Sequence, residues 1–184
     1  TVGDEIRYGN LNTWLLRPIS PIFNVLSTEL AGKVVYMTFT IPVTLLLAVL
    51  LKPDFTFTWQ NGALFLPALI FAWALRFFWG YWLALLAFWA TRSDGLLALQ
   101  DSLIFLLGGQ VAPTRLLPPL IQMLSTILPF RYMAAFPVEV LTGQLTQSEV
   151  LVGFVFQTFL MLFAMGMYAL MWRNGVKRYS AVGG

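Results

Sequence analysis

From Val34 to Leu51 the chain carries no charge, and the run is closed by Lys33 on one side and Lys52 on the other. As a helix that stretch is about 27 Å long, close to the thickness of a bilayer's hydrocarbon core. Pro42 sits in its middle, which membrane helices tolerate when neighbours satisfy the freed carbonyl. A polar-aromatic loop follows at residues 52–61, with Trp59 suited to headgroup level. Between Gly62 and Ala90 Arg76 is the only charge. As one helix this run is about 43 Å long, so the pattern predicts a second span at 62–90 that tilts, protrudes, or breaks near Pro67 or Arg76. The turn TRSDG at 91–95 leads to a third, weaker span at 96–112. It contains Gln100 and Asp101 and has Gly108-Gly109 near its end. The last span is the plainest, uncharged all the way from Val150 to Trp172.

Residues 113–148 break the pattern. Pro113, Pro118, Pro119, Pro129 and Pro137 forbid one straight helix, yet LLPPLIQMLSTILPF is too apolar for an aqueous loop. Short apolar pieces of this kind read as re-entrant or external helices. The expected fold class is therefore an all-α polytopic transmembrane bundle. It has about four spans, an N-terminal interfacial helix within residues 1–31, the 113–148 segment and a basic tail at 173–184.

Composition sharpens this reading. Of 184 residues, 59% are hydrophobic and 10% charged, against about 25% charged in soluble domains. Mean hydropathy is +0.77. There is no cysteine and no histidine, so disulfides, thiolate nucleophiles, imidazole bases and Cys/His metal sites are excluded, and no cofactor is implied. A net charge of +3 on scattered residues gives no footprint for nucleic acid. The basic residues bear on topology instead. With an even number of spans, Arg7, Arg17, Lys33, Arg92, Arg173, Lys177 and Arg178 share one side, and Lys52, Arg115 and Arg131 the other. That asymmetry places both ends in the cytoplasm of a cell membrane. The charged opening, TVGDEIRYGN, has no initiator Met and no signal peptide, and reads as the interior of a longer protein.

Three pieces of the chain resemble the permease subunits of ATP-binding-cassette transporters of the type-2 exporter (ABC-2) class. They are EIRYGNLNTWLLRPISP (5–21), the run from GGQVAPTRLLPP to EVLTGQLT (108–146), and the tail WRNGVKRYSAVGG (172–184). In order and with the intervening spans they cover nearly the whole chain. Members of the class usually have six spans, so the resemblance implies that two precede this stretch. It also implies a fold, a function and partners: an export permease, a separate cytoplasmic ATPase, and a second copy or related permease. No phosphate-cradling G-x-x-x-x-G-K-[ST] lies in the chain, so ATP hydrolysis belongs to that other subunit.

Three candidate regions follow. Ile6, Arg7, Leu11, Trp14, Leu15 and Arg17 are placed by the resemblance on the helix that docks into the ATPase; an interfacial helix capping the bundle is the plainer alternative. Arg76 and Asp101 are charges inside hydrophobic runs, either paired along a path or separately reaching toward headgroups. Counted from the cytoplasmic turn, their depths differ by about 10 Å. Pro113, Pro129, Phe130, Arg131, Pro137 and Glu139 form a lid over the outer end of a path, its shape fixed by an Arg131/Glu139 pair across Pro137, or an external loop folded on the bundle. The dense aromatics of residues 71–89 read chiefly as lipid-facing or packing groups.

The function expected is export of an amphiphilic or hydrophobic substrate. A secondary transporter would show repeats and mid-membrane ionisable groups in corresponding halves, which are not seen. A membrane-embedded enzyme would need a paired-carboxylate or similar constellation, also missing.

Overall fold

The computed structural model describes residues 2–9, 11–52, 58–89 and 94–179. The helices are α1 (Val2–Arg7), α2 (Leu11–Leu15), α3 (Pro21–Leu51), α4 (Trp59–Leu85), α5 (Asp94–Leu107), α6 (Pro119–Ile127), α7 (Phe130–Met133), α8 (Ala135–Leu141) and α9 (Gln147–Val176). No strand occurs among the described residues. The tip of the 52–61 loop, most of the 91–95 turn and the end of the tail lie outside the described residues.

Among the described residues, three helices are long and apolar enough to cross a membrane: α3, α4 with its one-turn continuation to Phe88, and α9. α3 and α9 outrun their uncharged stretches, because a helix does not stop where the hydrocarbon does. α3 starts well before Val34, at Pro21, whose fixed φ and missing N–H suit a first helical position. The expected segment 1–31 thus divides into two short helices and the first turns of a span. α9 starts at Gln147, where Thr146 and Glu149 form a reciprocal capping box. α4 runs unbroken through Pro67 and Arg76.

The stretch expected to cross at 96–112 is shorter. α5 has 14 residues, about 21 Å. It ends because Gly108 is pressed against Ala134 and Gly109 takes a φ of +76° that a side chain disfavours.

α4 is the axis of the bundle. α9 packs along it, and α5, α7 and α8 pack against it as well. Two apolar cores are stacked end to end. One joins Ala68, Leu75, Ile104, Leu107, Phe130, Tyr132, Phe136, Leu160 and Ala164. The other joins Val2, Ile6, Leu11, Tyr81, Ala84 and Leu85, with Trp172 and Tyr179 against it, so both ends of the described chain lie together. Glycine makes two of the contacts possible. A Cβ on Gly153 would stand 2.0 Å from the Phe136 ring, and one on Gly175 would stand 2.1 Å from Phe88. Gln157, fully buried, donates from Nε2 to the carbonyls of Ala68 and Tyr132 at 3.0 Å each, tying α9 to α4 and α7.

α3 stands apart. From Val34 to Leu51 every residue is exposed except the half-buried Thr40. The hydroxyls of Thr38 and Thr40 turn back to the carbonyls of Val34 and Tyr36, so the surface offered to lipid is apolar.

Candidate functional site

At the end that gathers the termini, α1 and α2 are separated by Gly9, which adopts the left-handed φ of +76° that lets the chain reverse. Their apolar residues divide between two faces. Val2, Ile6 and Leu11 are buried in the inner core. Trp14 is half-buried, while Arg7, Leu15 and Arg17 are exposed. Two further apolar residues, Tyr8 at 67% and Leu16 at 86% exposure, lie on the open face. The expected docking set is thus split: Ile6 and Leu11 hold the helices to their own bundle, and Tyr8 and Leu16 join the outward surface. Residues 4–19 alternate charged and apolar groups, and only packing says which face is taken.

Above these helices lies a cavity of about 540 Å³, walled by α1, α2, the first turns of α3, the second half of α4 and the start of α5. Arg76 and Asp101 meet in its wall, Nη2 to Oδ1 at 3.0 Å, with both side chains still about half exposed. Their expected depth difference is overcome because α4 and α5 pack together and the guanidinium sits on a long flexible stem. Glu5, Glu29 and Lys33 line the same space without an ion pair among the described residues. Trp73 Nε1, Tyr81 Oη and Gln100 Oε1, all on lining residues, are buried and make no hydrogen bond among the described residues. The Gln100 amide lies against Gly80, where a Cβ would come within 3.5 Å of it.

At the other end, the proline-rich segment is locked by Glu139. Arg131 donates to Glu139 Oε2 from Nη2 at 2.8 Å and from Nε at 3.1 Å, and the Thr114 hydroxyl donates to Oε1. One carboxylate therefore joins α7, α8 and the turn after Pro113. Phe130, Pro129 and Pro137 are buried beneath it, while Pro113 is exposed. Ser125 donates to the Leu107 carbonyl at 2.7 Å, binding α6 to the end of α5. Arg115 donates to the Gln144 carbonyl and pairs with Glu149 at 3.7 Å. Burial pushes the Tyr132 phenol above its ordinary pKa, against the lowering effect of Arg131. It thus remains a neutral donor to the Thr126 carbonyl, at 3.0 Å. Thr114 and Ser125 are members of this lock that residue type alone did not single out.

No group of acidic residues able to hold a metal occurs among the described residues. A family model described as ABC-2 family transporter protein matches residues 1–183. No curated protein and no solved structure matches the chain.

Proposed function

Since the chain belongs to the ABC-2 family of transporter proteins, membrane permeases of ATP-binding-cassette transporters, we propose that it exports an amphiphilic substrate driven by a separate cytoplasmic ATPase. The observation that carries the reading is the surface of Tyr8, Leu15, Leu16 and Arg17, apolar and basic, exposed at the ends of two short helices whose other faces are buried in the bundle. Such a surface is placed to pass motion inward, because α1 is packed against the end of α4. A second permease, the same chain or a related one, packs beside the helix α3, which its own bundle leaves open, and leaves the side continuous with the cavity to lipid. Both termini lie in the cytoplasm of the cell membrane, and the Glu139-locked segment closes the outer end of the path.

Purification of the chain from native membranes in mild detergent tests this. The expected companion is a protein carrying the phosphate-binding loop, with vanadate-sensitive ATP hydrolysis in the complex. A cysteine placed at Gln144 should react with a membrane-impermeant reagent in intact cells. The reading fails if transport persists after ATP depletion, with no ATPase retained and no reaction at position 144.

A further inference from the structure

The cavity between α1, α3, α4 and α5 is built for a ligand with charges of both signs. Its wall carries Glu5, Glu29 and Asp101 as carboxylates and Lys33 and Arg76 as cations; among the described residues, only Arg76 and Asp101 of these are paired with each other. An anionic ligand meets excess carboxylate, and an uncharged one leaves Lys33 and both glutamates unanswered. Among the polar atoms, Trp73 Nε1–H is a donor only and Gln100 Oε1 an acceptor only. Tyr81 and Gln100 are 4% and 6% exposed, so their free polar atoms are buried where an unmade hydrogen bond is costly. The acceptor asks for an N–H donor, which a primary ammonium has and a quaternary one lacks.

Depth identifies the source of such a head. Leu51 ends α3 and Trp59 begins α4, and one short loop joins these two helix ends. Along its own helix, Lys33 stands about 27 Å from Leu51, and Arg76 stands about 26 Å from Trp59. The two charges are therefore level with each other and near the far edge of a hydrocarbon core. Beyond Lys33 the wall continues as the exposed apolar side of α3. A polar ring at headgroup level opening onto an apolar strip has the layout of a lipid.

We propose that this cavity receives the headgroup of a zwitterionic phospholipid bearing a primary ammonium, with its acyl chains along α3. The phosphate meets Lys33, Arg76 and the Trp73 N–H; the ammonium meets Gln100 Oε1, Glu5 and Glu29. As a statement of substrate class this rests on the permease reading; as a binding site it does not.

Delipidated protein titrated by native mass spectrometry with dioleoyl phosphatidylethanolamine, phosphatidylcholine and phosphatidylglycerol, and with soluble glycerophosphoethanolamine, provides the test. The ethanolamine lipid should bind about tenfold tighter than the other two, as one charge-assisted hydrogen bond gives. Gln100→Leu and Glu29→Ala should each remove most of that preference, whereas Lys33→Gln and Trp73→Phe should weaken all three lipids alike, with thermal midpoints near wild type. Glu29 and Lys33 are both on the self-standing helix α3, so their variants report on headgroup preference and on overall affinity even if the bundle variants fold poorly. Equal binding of the three lipids, a preference that survives both Gln100→Leu and Glu29→Ala, or headgroup alone binding as tightly as lipid overturns the proposal. Failure here leaves ATPase association untouched, so the two readings fall separately.

Discussion

Replacing Glu139 with leucine is expected to cost the outer segment about 3–5 kcal/mol, the loss seen when one partner of a buried pair is removed and the other charge stays. The geometry supports the upper part of that range. Glu139 and Arg131 side chains are 9% and 18% exposed. Both guanidinium bonds converge on Oε2, and Thr114 loses its acceptor at the same time. Glu139→Gln keeps the shape and a neutral acceptor, so its loss should be smaller. The double variant Glu139→Leu with Arg131→Met should recover much of the stability, since no charge is then stranded. Thermal unfolding in detergent and protease cleavage within residues 113–148 measure the three together. Wild-type stability in Glu139→Leu would remove the residue as the lock of this segment.

The membrane-crossing helices were legible in the chain because lipid imposes a rule that sequence shows directly: uncharged runs of sufficient length at Val34–Leu51 and Val150–Trp172. Their true ends were less visible, though Thr146-x-x-Glu149 before an apolar run is itself a start signal. The short α5 was harder, since Leu96–Ala112 is apolar nearly throughout and only the glycines at 108 and 109 mark where packing stops it.

The charges were the least legible. Arg76 looks central when its run is measured from Gly62 to Ala90, but the helix is longer than a bilayer is thick, and its midpoint need not be the membrane's. Only the shared cavity wall places Arg76 beside Lys33, which ends the neighbouring apolar run. The Glu139 lock was legible in part: the Arg131 and Glu139 charges eight residues apart across Pro137 suggest a pair, but Thr114 lies 25 residues from Glu139 across several prolines, and such spacing has no periodicity to read.

The same division between faces decides how coupling is to be tested. Trp14 lines the cavity and Ile6 and Leu11 fill the inner core, so charges there would disturb folding and leave docking unexamined. Leu15 and Leu16 are 39% and 86% exposed, and substitutions at such positions ordinarily change stability by about 0.5 kcal/mol or less. The variant Leu15→Asp with Leu16→Asp should therefore insert and unfold as wild type does. If these leucines are anchors at the ATPase interface, each truncated anchor costs about 2 kcal/mol or more, roughly thirtyfold in affinity per residue. Added carboxylates deepen that loss, and transport-coupled hydrolysis in proteoliposomes should fall to the level of the ATPase alone. Replacing Tyr8 with Asp should give a smaller loss of the same kind. Full substrate-stimulated hydrolysis in the double variant, with normal membrane insertion, would mean that α1 and α2 merely cap the bundle and that the lever lies elsewhere.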